Sequence, residues 1–107
     1  MKTHAQAVVI GGGVIGCSIL YHLTKLGWRD VILLERDELT SGSTWHAAAG
    51  IHGLHDSTNI SKIQHYTMKL YKELEVETGQ GCGVFQSGSL YLAQTSERED
   101  QLRLQAA

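Results

Sequence analysis

The sequence predicts an α/β fold that opens with a Rossmann-like strand–helix–strand unit. Three observations carry this prediction. An apolar run, Ala7–Ile10, is followed directly by glycines spaced as Gly11-x-Gly13-x-x-Gly16, and a second apolar run ends on the acid Glu35. Strand, helix and strand within about 30 residues is the length of a βαβ unit. The glycine spacing has its usual meaning only in this setting, between a strand and the start of a helix.

Each element of this unit has its own signal in the sequence. The run Ala7–Ile10 is wholly apolar and rich in β-branched residues, which is typical of a parallel strand covered on both faces. From Val14 the apolar period becomes helical, and Gly27 marks the end of that helix. The helical positions are Ile15, Ile19, Leu23 and Leu26. Residues 30–35 then form the second strand.

The second half of the chain continues the alternation less clearly. Residues 37–59 are polar and glycine-rich, and an amphipathic helix follows that ends at residues 79–83. Its apolar face is formed by Ile60, Ile63, Thr67, Leu70, Tyr71 and Leu74. Residues 84–85 and 90–92 are predicted to pair as the start of a substrate-domain β-hairpin. Ser96 with Glu99 forms a capping box that opens a last helix.

We expect residues 1–107 to be an incomplete domain, because a doubly wound nucleotide fold needs more strands than this. The formal charge of −2 gives no reason to expect nucleic acid or an anionic membrane surface as a partner. No apolar run reaches 18 residues, so no membrane span is expected. Cys17 and Cys82 are far apart and are expected to be free thiols in a reducing compartment.

The N-terminus has two interpretations. Lys2 and the apolar residues that follow it have some features of a short signal peptide, but glycines interrupt the apolar stretch and the helical pattern runs through Cys17. Met1 lies only six residues before the first strand, which leaves no room for a transit peptide. We therefore expect a cytoplasmic protein.

The glycines and Glu35 together predict a dinucleotide site. Gly11 permits a tight turn, Gly13 lets the backbone approach a pyrophosphate, and Gly16 lets the helix lie close to the strand. Glu35 follows Gly16 by 19 positions, the spacing of the acid that accepts hydrogen bonds from the adenosine ribose. Its charge disfavours NADP, despite the neighbouring Arg36. The motif does not separate FAD from NAD, and a glycine-rich turn in an unrelated fold is the alternative.

A family resemblance enters with residues 39–48, Leu-Thr-Ser-Gly-Ser-Thr-Trp-His-Ala-Ala. Together with residues 11–16 and 33–36, this segment resembles the N-terminal FAD domain of the dimethylglycine and sarcosine dehydrogenases, FAD-dependent amine oxidoreductases of the D-amino-acid-oxidase-like superfamily. Residues 71–79 and 88–90 follow the same pattern. One departure is visible, because the family usually has glycine after the two alanines where this chain has Ala49 and then Gly50.

The resemblance implies an FAD site and names its residues. The implied cofactor-binding residues are Gly11, Gly13, Val14, Ile15, Gly16, Glu35, Arg36, Gly42, Ser43, Thr44, Trp45, His46, Ala47, Ala48 and Gly50. His46 would be joined covalently to the 8α-methyl carbon of the flavin. An apolar setting of Trp45 and the alanines would keep its imidazole neutral. Ser43 and Thr44 would donate hydroxyl or backbone N–H groups to the pyrophosphate.

The implied activity is oxidation of a small N-methylated glycine derivative, with hydride transfer to the flavin. The resemblance implies that the one-carbon product would be released as formaldehyde or passed to tetrahydrofolate in a C-terminal domain outside these residues. The sequence identifies neither the electron acceptor nor a catalytic residue. A related amine or amino-acid oxidase with non-covalent FAD and an inactive nucleotide-binding fragment are the alternatives. A metal cluster of His46, His52 and His55 matches no zinc spacing; His52 and His55 are expected near the flavin or on a surface turn.

Overall fold

The computed structural model describes residues 3–106, which divide into two compact units, one that ends at Gly50 and one that begins at Ile51. The first unit contains strand β1 (Ala7–Ile10), helix α1 (Val14–Lys25) and strand β2 (Val31–Leu34). The second contains helix α2 (Thr58–Thr78) and helix α3 (Ser96–Ala106). Each unit is described by itself.

The predicted βαβ unit is present in the first unit. Strands β1 and β2 are parallel neighbours, in register from Ala7 opposite Val31 to Ile10 opposite Leu34. Because the strands are parallel, their carboxyl ends lie at one edge of the sheet, where residue 11 follows β1 and Glu35 follows β2. The backbone continues the pairing by one step, since the Gly11 N–H donates to the Leu34 carbonyl at 2.8 Å.

Helix α1 begins and ends where the sequence predicts. Its N-cap is Gly13, and its first turn carries no acidic side chain. Leu26 is the C-cap, and Gly27 follows with a φ of +89°. Gly16 is the buried residue of the helix, at its contact with β1.

Much of the apolar surface of this unit is uncovered. Val9 is buried, whereas Ile10 at the end of the same strand is 84% exposed and Ile15 on α1 is 74% exposed. Parallel strands are normally covered on both faces. The two strands and one helix are therefore an incomplete α/β unit, as predicted.

The second unit is dominated by α2. Leu70 is its buried residue, and Gly79 ends the helix in the left-handed conformation, with a φ of +69°. On the exposed side Lys69 Nζ lies 3.7 Å from Glu73 Oε1, one turn away. Within residues 3–106, no helix combines the length and apolar character needed to cross a membrane.

Two local predictions in this unit were wrong. Residues 84–85 and 90–92 form no strand, because an isolated two-stranded hairpin is marginal and the described residues of this unit contain no strand that could pair with it. The capping box predicted at Ser96 and Glu99 is not formed, because the N-cap lies one residue earlier. The Thr95 hydroxyl accepts the Arg98 N–H at 3.2 Å, so Thr95 caps α3 and Ser96 is its first residue.

Candidate functional site

A cavity of about 820 Å³ opens at the carboxyl edge of the β1–β2 sheet. It lies where the glycine turn, the end of β2 and the segment 37–47 meet. Of the predicted cofactor-binding residues, the following line it: Gly11, Gly13, Val14, Ile15, Gly16, Glu35, Arg36, Gly42, Ser43, Thr44 and Ala47. Four do not line it: Trp45, His46, Ala48 and Gly50.

The glycine turn has the geometry that its sequence predicts. Gly11 has a φ of +101°, a conformation that side-chain-bearing residues rarely adopt. Gly16 meets β1 so closely that a Cβ there would overlap the Gly11 carbonyl oxygen. The first turn of α1 is thereby held against the end of the strand.

The start of α1 presents backbone donors to this cavity. Among residues 3–106, the N–H groups of Gly13, Ile15 and Gly16 donate to no acceptor, whereas the Val14 N–H donates to Thr44 Oγ1 at 2.9 Å. Unpaired N–H groups and the positive end of the helix dipole make such a helix start an anion-binding site. The residues present therefore fit a pyrophosphate.

Glu35 is bound into the same turn by its carboxylate. Its Oε2 accepts the Gly12 N–H at 2.6 Å, and its Oε1 accepts the N–H groups of Arg36 at 2.7 Å and Asp37 at 3.1 Å. These hydrogen bonds, that from Gly12 first, lower the pKa of the Glu35 carboxyl. A carboxylate has about four acceptor positions, so one remains for a ligand hydroxyl. Glu35 lines the cavity, and its contact with a ribose stays a prediction.

The segment 39–46 forms a turn that is attached to the glycines. Thr40 donates its N–H to the Gly12 carbonyl at 2.9 Å and accepts the Trp45 N–H at 3.0 Å. Its φ is +67°, an uncommon conformation for a β-branched residue. Backbone strain of this kind persists only where surrounding contacts hold it, and it is common at functional sites.

His46 lies in this turn with its tautomer fixed. Its Nδ1 is 2.9 Å from the Gly42 carbonyl oxygen. Because a carbonyl only accepts hydrogen bonds, Nδ1 carries a proton, and in the neutral ring the lone pair is on Nε2. The expected apolar setting is not formed in this unit, since His46 is exposed and Trp45 is 79% exposed.

Ala49, where the sequence departs from the family pattern, also has an unusual backbone conformation. Ala49 has a φ of +55°, in the left-handed region that glycine adopts without cost. The glycine that the family usually has after the two alanines would relieve this strain.

His52 and His55, the two other histidines of the metal cluster that was considered, lie in the second unit. His55 is in an exposed turn, where its Nδ1 accepts the Ser57 N–H at 2.9 Å, and His52 is exposed. In the part of the chain that the structure describes, no three histidine, cysteine or acidic side chains are grouped as a metal site. Cys17 and Cys82 are free thiols.

This unit also has a cavity, of about 860 Å³, lined largely by α3. Its polar lining includes Asp56, which already accepts a hydrogen bond from Gln105 Nε2 at 2.7 Å. The glycine turn and helix start that would bind a phosphate belong to the first unit.

Sequence reasoning missed the part played by Gly12. Its N–H donates to Glu35, and its carbonyl accepts from Thr40 N and, at 3.4 Å, from Cys17 Sγ. A Cβ at Gly12 would lie 2.5 Å from Leu39 Cδ2 and 3.1 Å from Glu35 Oε2. The signal was available, because position 12 is the middle one of three consecutive glycines, and the fingerprint requires no glycine there.

The fold and the cavity together define a dinucleotide-binding α/β unit. The family described as FAD dependent oxidoreductase (DAO) matches residues 6–107, and the chain belongs to this family. The family predicted from residues 11–16, 33–36 and 39–48 is thus confirmed, and FAD, rather than NAD, is its cofactor.

Individual relatives are similar over nearly the whole chain. The chain is 52% identical over 104 residues to "Dimethylglycine dehydrogenase, mitochondrial" of Rattus norvegicus, which covers 97% of the chain and 12% of the relative. It is 44% identical over 104 residues to "Sarcosine dehydrogenase, mitochondrial" of Homo sapiens, covering 96% and 11%. It is 41% identical over 102 residues to "4-methylaminobutanoate oxidase (formaldehyde-forming)" of Paenarthrobacter nicotinovorans, covering 95% and 12%. The chain thus spans about an eighth of these relatives.

The expected cytoplasmic location was wrong. The mammalian relatives at 44–52% identity are named as mitochondrial proteins. The short distance from Met1 to β1 suggested that no leader is present. Because the chain spans only about 12% of the length of the relative, that distance supports no such conclusion.

Proposed function

We propose that residues 1–107 are the first part of the FAD-binding domain of a longer amine oxidoreductase, which oxidises the C–H bond next to the nitrogen of a small N-methyl amino acid. The mitochondrion is the compartment we propose for it. One observation carries the cofactor site: unpaired N–H groups at the start of α1 lie beside the Glu35 carboxylate in one cavity. The 52% identity to rat dimethylglycine dehydrogenase and the 44% identity to human sarcosine dehydrogenase support dimethylglycine or sarcosine as the substrate class.

The residues of this chain would divide the binding of the cofactor. The N–H groups of Gly13, Ile15 and Gly16 would donate to the pyrophosphate, and the remaining acceptor position of Glu35 would take a ribose hydroxyl. Bound FAD supplies the two-electron acceptor for the amine-adjacent C–H bond. Groups that bind substrate and any folate are proposed for the remainder of the protein.

We also propose that His46 holds the flavin covalently through Nε2. The hydrogen bond from Nδ1 to the Gly42 carbonyl leaves Nε2 as the nucleophilic nitrogen. The net change joins Nε2 to the 8α carbon and removes one hydrogen from each partner. Two electrons and two protons pass to dioxygen, which becomes hydrogen peroxide.

The test compares full-length protein, His46→Ala and a matched control, His65→Ala. His65 is also exposed, and its Nδ1 lies 2.8 Å from the Ser61 carbonyl oxygen one turn earlier, so the control removes an equivalent hydrogen bond. Each protein is saturated with FAD, denatured and run on a gel that is imaged for flavin fluorescence. Fluorescence on wild type and His65→Ala but not on His46→Ala is the expected result.

A colourless wild-type band with FAD released into solution would instead support a related oxidase with non-covalent FAD. Substrate is tested separately, by dye reduction with dimethylglycine, sarcosine and 4-methylaminobutanoate. Reduction by the first two supports the proposed substrate class. FAD binding without reduction by any of the three would contradict the activity and support a nucleotide-binding protein.

A further inference from the structure

Two hydrogen bonds attach the segment that carries His46 to the glycine turn. Thr40 donates its N–H to the Gly12 carbonyl, and Thr44 accepts the Val14 N–H on its hydroxyl oxygen, both at 2.9 Å. Thr44 is half-buried and lies two residues before His46. Residues 40–46 also close on themselves, because the Trp45 N–H donates to the Thr40 carbonyl and the His46 N–H donates to the Ser43 carbonyl.

We infer that Thr44 is a positioning residue for covalent attachment: its hydroxyl ties the attachment histidine to the phosphate-facing start of α1. This inference rests on the proposed function. The phosphates would fix one end of FAD at the helix start, and the Thr44 hydroxyl fixes the distance from that same helix start to the His46 segment. The contact joins residues 30 positions apart, so it is a tertiary contact and not part of the local turn.

The local chemistry favours a hydroxyl at this position. Its oxygen can accept the Val14 N–H while its own hydrogen, which has no acceptor among residues 3–106, is available to a phosphate oxygen. The absence of a side chain at Gly13 makes room for it, since a Cβ there would lie 3.1 Å from Thr44 Oγ1. Gly13 thus serves the hydroxyl contact as well as the approach of the backbone to a ligand.

The expected consequence is a change in rate and not only in affinity. Attachment requires the reacting nitrogen to be held close to its target, and misplacement of such a group slows the reaction at saturating ligand. Loss of one neutral hydrogen bond changes an equilibrium by up to about tenfold. Without the Thr44 contact, His46 would occupy its reactive position correspondingly less often.

The experiment uses full-length apoprotein with Thr44→Val, which keeps the shape of the side chain, and Thr44→Ser, which keeps the hydroxyl. Thr24→Val is the control, because Thr24 is an exposed threonine near the other end of α1 whose hydroxyl donates to the Tyr21 carbonyl at 2.7 Å. Covalent attachment is timed at saturating FAD by fluorescence on denaturing gels. Reversible affinity for FAD is measured in the His46→Ala background.

We expect Thr44→Val to slow attachment about tenfold and to weaken reversible binding by a smaller factor. Thr44→Ser should attach within about threefold of wild type and Thr24→Val at the wild-type rate. Amide exchange at Val14, which needs no flavin, should rise in Thr44→Val and not in Thr44→Ser.

Wild-type attachment rates in Thr44→Val, or equal slowing in Thr44→Ser, would overturn the inference. A wild-type protein that attaches no flavin would reject the covalent part of the proposed function and this inference with it. The wild-type lane of the gel therefore distinguishes failure of the proposed covalent attachment from failure of the inference about Thr44.

Discussion

The replacement Gly16→Ala is the most severe test of the proposal that the glycine turn and the start of α1 bind the phosphates. The added Cβ would overlap the Gly11 carbonyl oxygen and lie 3.5 Å from Val9 Cγ1. Neither neighbour can easily move. Gly11 is held by its N–H bond to the Leu34 carbonyl at 2.8 Å, and Val9 is buried in β1. The start of α1 must therefore move away from the strand.

Overpacked sites of this kind cost about 3 kcal/mol at the upper end of the usual range. A nucleotide that requires the native spacing must restore it on binding, so its affinity should fall by about 100-fold. At Gly12 the first obstacle is Leu39 Cδ2, at the free end of a side chain that is 58% exposed and can rotate. Gly12→Ala should therefore weaken binding by only about fivefold.

The assay is calorimetric titration of ADP into full-length apoprotein, with every variant made in the His46→Ala background so that flavin can be removed. Gly81→Ala is the control, because a Cβ there meets nothing within 4 Å and its φ is not positive. It should bind within about twofold of the reference. If Gly16→Ala binds ADP as well as Gly81→Ala does, the proposal that the glycine turn and the start of α1 bind the phosphates is refuted.

Three further outcomes are expected. Glu35→Gln should weaken FAD binding, since an amide nitrogen cannot accept a backbone N–H. The pKa of Glu35 is lowered, so the contribution of its carboxylate to FAD binding is complete above the ordinary value of 4.5 and is lost only as the pH falls through the depressed value. The difference in FAD affinity between wild type and Glu35→Gln should therefore stay constant down to pH 4.5, and a difference that shrinks above that pH would contradict this. Ala49→Gly should raise the free energy of unfolding by about 0.5–1 kcal/mol, and the thermal midpoint with it, because relief of the left-handed strain exceeds the added chain entropy; a lowered midpoint would count against the strain. Lys69→Ala should change stability by less than about 0.5 kcal/mol in denaturant titration, because the pair with Glu73 is solvent-exposed; a larger loss would reveal another role for Lys69.

The βαβ unit was predictable because its signals are local. An apolar β-branched run, a change to helical period at Val14 and glycines at fixed spacing each depend on neighbouring residues. The same holds for α2, whose end at Gly79 is marked by a residue that adopts a positive φ.

The features that the sequence did not predict correctly depend on partners that are distant in sequence or outside the chain. The hairpin needs further strands to stabilise it. The contacts of Thr44 with Val14 and of Thr40 with Gly12 follow from where residues 37–47 fold, which no periodicity records. His46 is exposed because the apolar cover expected from Trp45 does not form within its own unit.

The most direct test is an experimental structure of the full-length protein with FAD. Pyrophosphate oxygens should lie within about 3.2 Å of the N–H groups of Gly13, Ile15 or Gly16, with a ribose hydroxyl on Glu35. Phosphates bound elsewhere, with the start of α1 facing only solvent, would contradict the assignment of this turn as the nucleotide site.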